Sequence, residues 1–255
     1  MRKIYSIIFL ILFSEYAHAQ KEINISDSLA ANGEMYNVKL GSQGPGKIWK
    51  LHFGDYGIFS SKKSWTSGSS KTNLLGTKTE SKTTDKFSFV LGNKSNDTAW
   101  VNAANNINIK AIQEVEIIPH FTSGGNELME ESHNFTAFIS VSGDTSETWT
   151  LLMYTTKGTQ VNSKGEAFLT NGDRRINILL SISGKSKTMF SVPVAGYEFM
   201  ENNHSLSALQ YGGMFGVNKN IIWLGKDLDP KMKIILAAGA AAILEMELIE
   251  MDQGH

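Results

Sequence analysis

Residues 234–244, IILAAGAAAIL, form a segment near the C-terminal end of the chain without a single polar side chain. Asp229 and Pro230 stand just before it, and a capping carboxylate followed by proline in the first turn is typical of a helix start. Lys231 at the start and Glu245 near the end have the unfavourable orientation for the helix dipole. The helix must therefore be held by burial of its large apolar side chains, each worth about 1.5–3 kcal/mol.

The sequence before this helix predicts mainly short strands joined by turns of Gly, Asn and Asp. About twelve segments show apolar runs or the alternation of a strand with one buried face, which favours a barrel or sandwich over a parallel sheet. They are residues 47–53, 87–91, 98–101, 115–118, 135–141, 148–154, 167–169, 175–182, 190–194, 196–199, 205–211 and 221–224.

The glycine and the alanines make the helix slim enough for a narrow interior. We therefore predict a mainly β fold, an antiparallel β-barrel of about twelve strands with a buried C-terminal hydrophobic helix. The alternative is a β-sandwich with the helix packed on one face. The stretch 60–86, rich in Ser, Thr and Lys, is interpreted as a strand-and-turn excursion and not as a linker.

The first nineteen residues have the three parts of a secretory signal peptide. Two basic residues precede an apolar run, and Ala17 and Ala19 occupy the small-residue positions of a cleavage site. The apolar run is about ten residues, half of what a membrane span needs. We expect residues 1–19 to be a signal peptide and cleavage near Ala19. The product is then exported to the periplasm, the outer envelope or the medium. Residues 20–255 form a single β-rich domain that ends in a hydrophobic helix at about 230–250.

Charge and cysteine content exclude several classes of function. The chain has 24 Lys and Arg against 25 Asp and Glu, and a net charge of −1. A nucleic-acid partner is not expected, because it needs a basic stripe and a high isoelectric point. The chain has no Cys, which removes thiol nucleophiles, disulfides and Cys-based metal sites.

Motifs that carry chemistry are incomplete in this chain. Residues 183–186, SGKS, resemble part of a phosphate-binding loop, but Leu179 stands where its first Gly is required. Gly-x-Ser-x-Gly and His-Glu-x-x-His do not occur. An acidic cluster with imidazoles is interpreted as a solvated turn, although such groups can bind a divalent ion. Its members are His120, Glu127, Glu130, Glu131 and His133. We predict a non-enzymatic protein without catalytic residues, metal or cofactor.

Tryptophan and lysine side chains are the remaining candidates for a binding surface. Trp65 is surrounded by Lys, Ser and Gly and is predicted to be exposed, whereas the other four tryptophans lie in apolar alternating runs that predict core packing. Those four are Trp49, Trp100, Trp149 and Trp223. A basic patch, interrupted by the acidic residues Glu80 and Asp85, comprises Lys62, Lys63, Lys71, Lys78, Lys82 and Lys86. The predicted ligand-binding residues are Lys62, Lys63, Trp65 and Lys71.

The C-terminal quarter combines strand segments with the final apolar helix: residues 196–199 (GYEF), 205–211 (SLSALQY), 221–223 (IIW) and the helix over 229–248. In this pattern the chain resembles the tubby-like superfamily, which includes the phospholipid scramblases. The resemblance implies a closed antiparallel barrel of about twelve strands threaded by a hydrophobic helix. It also implies binding of a lipid headgroup or a membrane surface.

Two hypotheses for the function follow. The first is an exported, non-enzymatic envelope protein that binds a lipid headgroup or the surface of an envelope protein. The alternative is a secreted β-sandwich that binds carbohydrate or serves as an adhesion or assembly module.

Overall fold

The structure is a computed structural model that describes residues 22–73, 78–112, 115–118, 121–123, 127–159, 164–183, 194–212 and 219–253. Within these residues, the helix α1 (Asp27–Asn32) comes first and the helix α2 (Pro230–Gln253) comes last. The strands between them are β1 (Gly33–Asn37), β2 (Lys39–Leu40), β3 (Leu51–Phe53), β4 (Tyr56–Lys63), β5 (Ser67–Thr72), β6 (Lys78–Gly92), β7 (Thr98–Ile112), β8 (Val115–Ile118), β9 (Phe121–Ser123), β10 (Glu127–Val141), β11 (Asp144–Lys157), β12 (Lys164–Thr170), β13 (Arg175–Ile182), β14 (Ala195–Glu201), β15 (His204–Tyr211) and β16 (Ile221–Gly225).

One antiparallel sheet contains nearly all of these strands. Thirteen follow each other in the order β1-β16-β15-β14-β13-β12-β11-β10-β7-β6-β4-β3-β2, with β5 paired to β6 as a branch, and β8 and β9 form a separate hairpin. The two ends of this order meet on one stretch of chain, because β1 pairs with β16 while β2, one residue later, pairs with β3. The sheet is therefore a nearly closed barrel.

Helix α2 fills the barrel. Every residue from Ile234 to Met246 is buried, so no side of the helix faces solvent over more than three turns. A Cβ added at Gly239 would lie 3.5 Å from Leu151, 3.7 Å from Phe199 and 3.8 Å from Ile139, three side chains that belong to three different strands. This confirms the predicted buried helix, and the small residues at its centre are what allow the strands to close around it.

Two further features agree with the sequence pattern: the cap at the start of α2 and the apolar residues of β15 and β16. The carboxylate of Asp229 accepts a hydrogen bond of 2.9 Å from the backbone N–H of Met232, which makes it the N-terminal cap. Outside the barrel, Leu29 of α1 packs with Ile221 and Trp223 in a second apolar cluster. Strands β15 and β16 are thus covered on both faces, which explains the unbroken apolar run of β16.

The sequence identified the fold class but missed several elements. Residues 47–50 are not a strand, whereas β1, β2, β4, β5 and β9 had no clear apolar alternation and were not predicted. Strands β6, β7 and β10 are each 15 residues long, because each continues past the short apolar segment that the pattern detected. The predicted segment 190–194 lies outside the described residues except for Val194.

Candidate functional site: the outer groove

A groove runs across the outer face of β4, β6, β7 and β10. Residues of one face recur at every second position of a strand, and in β6 the buried Phe87 and Phe89 leave Ser88 pointing outward. The register continues this outward row from Lys62 through Ser88 and Asn102 to Phe138. Two residues before Asn102 on β7, Trp100 points outward in the same manner and lies opposite Ser140. We call the surface formed by Lys62, Lys86, Ser88, Trp100, Asn102 and Phe138 the outer groove.

The outer groove consists of two adjoining depressions. One of about 380 Å³ is lined by Lys62, Lys86, Asn102, Thr136 and Phe138 among others. The other, of about 240 Å³, is lined by Lys62, Ser88, Trp100 and Asn102 together with neighbouring residues. Their shared residues, Lys62, Ser88 and Asn102, make the two depressions one continuous surface.

Two aromatic side chains stand in this surface without being covered. Trp100 is 40% exposed and Phe138 is 51% exposed. The prediction that Trp100 packs in the core was wrong, because the buried neighbours Ala99 and Val101 take the inward positions and leave Trp100 outside. The predictions for Trp149 and Trp223 were confirmed, since both are buried, and Trp49 packs half-buried against the core.

The four predicted ligand-binding residues do not form one site. Lys62 belongs to the outer groove, whereas Lys63 and Trp65 line a depression of about 360 Å³ together with Lys47 and the loop 43–46. Trp65 is 96% exposed, as predicted, because it lies in the break between β4 and β5. Lys71 lies on β5 and lines a further, separate depression with Lys78 and Lys110. The basic patch is therefore spread over separate surfaces.

A polar cluster inside the barrel surrounds the C-terminal part of α2. Glu245 is fully buried, and its Oε2 accepts a hydrogen bond of 3.2 Å from the backbone N–H of Trp49, while its Oε1 has no partner. Burial raises the pKa of Glu245 to about 8, and the hydrogen bond from the Trp49 N–H and the charge of Lys63 oppose this shift. Burial likewise raises the pKa of Glu247 to about 7, and this carboxylate accepts a hydrogen bond of 2.9 Å from the hydroxyl of Tyr197.

His133 connects this cluster to β10. Its Nε2 lies 2.6 Å from Glu131 and its Nδ1 lies 3.8 Å from Glu250, which also accepts a hydrogen bond of 2.7 Å from the side-chain amide of Asn105. The contact with Glu250 raises the pKa of His133; burial opposes this shift and Glu131 adds to it. An imidazole between two carboxylates is stabilised in its protonated form. We interpret it as an ionic link between strand and helix.

The other members of the predicted acidic cluster have separate partners. Glu130 forms a salt bridge of 2.7 Å with Lys110, and Glu127 accepts a hydrogen bond from the hydroxyl of Thr159. Within the part of the chain that the structure describes, no group of three or more His, Cys, Asp or Glu side chains is arranged to hold a metal ion. His120 and residues 184–186 of the incomplete phosphate loop lie outside that part, and Ser183 pairs with Val194 as a strand end.

Comparisons of the chain with protein-family models, with curated proteins and with solved structures gave no match. The resemblance to the tubby-like superfamily therefore stays a prediction, and the function has to be inferred from the chemistry of the surface. Among the described residues, none of the helices has the length and apolar character required to cross a membrane.

Proposed function

We propose that the protein is an exported, non-catalytic binding protein whose outer groove binds a polysaccharide. The observation that carries this proposal is the combination of two uncovered aromatic rings, Trp100 and Phe138, with amide and hydroxyl side chains in one continuous groove. Export is supported by the signal-peptide pattern of residues 1–19.

The side chains of the outer groove are chemically complementary to a sugar chain. A pyranose ring has an apolar C–H face, which stacks on an aromatic ring, and a rim of hydroxyl groups that donate and accept hydrogen bonds. The amide of Asn102 and the hydroxyls of Ser88 and Thr136 can do both. An open groove on a rigid sheet accepts a chain along its length, whereas small-molecule ligands are usually enclosed by a deeper pocket.

Binding to immobilised polysaccharides tests the proposal with matched aromatic substitutions. Trp100→Ala and Phe138→Ala are each expected to weaken binding roughly tenfold, which corresponds to about 1.4 kcal/mol. Trp65→Ala is the matched control, because it removes an exposed tryptophan outside the outer groove. Affinity electrophoresis against a panel of plant, algal and bacterial polysaccharides provides the measurement. Equal retardation of all three variants and the wild type would contradict the groove as the binding surface.

A second candidate is the lipid binding of the first sequence hypothesis, with the surface around Trp65 as the contact. Trp65 is 96% exposed and shares its depression with Lys47 and Lys63. Tryptophan is enriched at membrane–water interfaces, and nearby lysines are attracted to anionic lipids.

The same three variants separate the two candidates. Sedimentation is measured with vesicles of phosphatidylcholine containing about one third phosphatidylglycerol, where each nearby lysine contributes about 1 kcal/mol. Loss of vesicle binding in Trp65→Ala, with Trp100→Ala unaffected, supports the lipid candidate. Loss of polysaccharide binding in Trp100→Ala, with Trp65→Ala unaffected, supports the proposed function.

A further inference from the structure

The charges of the outer groove all have one sign. Lys62 and Lys86 line it, and none of the residues that line either of its depressions is an Asp or a Glu. Among the described residues, neither lysine forms an ion pair, although Lys94 in the turn between β6 and β7 pairs with Asp55, and Lys110 of β7 pairs with Glu130. The groove therefore has two uncompensated positive charges.

The register places both lysine residues on the same side of the groove. Lys62 lies opposite Ser88, and Lys86 precedes Ser88 by two residues on the same face of β6. Diagonal neighbours of this kind are about 7–8 Å apart at the backbone, so their flexible side chains can reach one group or two adjacent groups. Trp100 lies two strands away from Lys62 and Phe138 lies three strands away, so an aromatic side and a cationic side face each other across Ser88 and Asn102.

We propose that the ligand of the outer groove is an anionic polysaccharide, with sugar rings stacked on Trp100 and Phe138 and acidic groups bound by Lys62 and Lys86. This inference rests on the proposed function and adds the charge of the ligand to it. A neutral glycan would leave two like charges side by side in the groove without compensation. An acidic one would remove that repulsion and gain charge-assisted hydrogen bonds, which are about twice as strong as neutral ones.

The test compares ligands that differ in charge and variants that differ in position. Polygalacturonate is paired with highly methyl-esterified pectin, in which most carboxylates of the same backbone are converted to uncharged methyl esters, and dextran sulfate is paired with dextran. The double variant Lys62→Gln/Lys86→Gln is paired with Lys39→Gln/Lys226→Gln, which loses the same charge from exposed positions outside the groove. All are measured by affinity electrophoresis at low and moderate salt, with circular dichroism as the check that the variants are folded.

The expected result is binding to polygalacturonate, dextran sulfate or both at least about tenfold tighter than to the neutral partner. The groove double variant should lose this preference and much of its salt dependence, and the control double variant should keep both. Equal binding to charged and neutral partners would overturn the anionic ligand and leave the proposed function standing. Equal losses of binding in both double variants would overturn the assignment of the acidic groups to Lys62 and Lys86, in favour of unspecific charge attraction. If none of the polysaccharides binds, the proposed function itself fails.

Discussion

The buried carboxyl group of Glu245 predicts a stability that falls as pH rises, and its replacement by Gln should remove part of that fall. Its pKa is raised from 4.5 to about 8 in the folded protein, so the folded state holds the proton more tightly than the unfolded state does. Stability therefore declines from about pH 4.5 until the folded carboxyl group ionises near pH 8. With about 1.4 kcal/mol for each tenfold change in proton affinity, the full effect is at most about 5 kcal/mol.

The experiment compares urea unfolding of the wild type and Glu245→Gln at about pH 5, 7 and 8.5. Near pH 5 the two should differ little, because Gln keeps an acceptor for the N–H of Trp49 and is neutral like the protonated carboxyl group. Near pH 8.5 the variant should be more stable than the wild type, and the difference should change by about 4 kcal/mol across this range. Glu247 and His133 titrate in both proteins, so their contributions cancel in the comparison.

Glu80→Gln is the control for this experiment, because Glu80 is exposed on β6 and its replacement should leave the pH profile of the wild type in place. Parallel profiles of the wild type and Glu245→Gln would refute the reasoning, since they would mean that water or a cation reaches this carboxylate in the folded protein.

Three further predictions concern the interior. Gly239→Ala should raise the free energy of unfolding by about 0.5–1 kcal/mol in urea melts, because the added methyl group finds ordinary van der Waals distances and alanine is the better helix former. Ala241→Glu should abolish cooperative thermal unfolding, since an unpaired carboxylate at a fully buried position costs several kcal/mol; a melting temperature near that of the wild type would contradict the enclosed helix. The imidazole of His133 should titrate above pH 6.5 in an NMR experiment, and Glu250→Gln should lower its pKa; an unchanged midpoint in the variant would contradict the ionic link.

The helix and its burial were predictable from sequence, because a segment without polar side chains has no stable place at a soluble surface. The strand β1, which closes the barrel by pairing with β16, was not predictable from sequence. Gly33–Asn37 has an exposed or half-buried side chain at every position, so the usual alternation is missing, and its pairing depends on β16 at the other end of the chain. The polar halves of β6 and β10 were missed for the same reason, because pairing with neighbouring strands stabilises them and not an apolar face.

The candidate site was predictable only in part. Trp65 was identified as exposed from its polar neighbours, and Lys62 was selected from the basic patch. Trp100 was assigned to the core because it lies between Ala99 and Val101, and periodicity alone does not say which of two alternating faces is buried when both carry apolar residues. Asn102, Ser88 and Phe138 carry no local signature; only the register of four strands brings them together.

The pairing of β1 with β16 sets the order in which this barrel can form. Gly33 meets Gly225 in the register, so the first strand finds no partner until nearly the whole chain has been made. Hairpins such as β6–β7 and β10–β11 close locally and can form early. The pairing of β1 with β16, which we call the seam, closes the longest loop, so it has the largest entropic cost and forms late. The helix α2 must enter while the seam is still open. Closure of the barrel is then the last step of folding, and a chain truncated before residue 221 should remain an open sheet with an uncovered apolar interior.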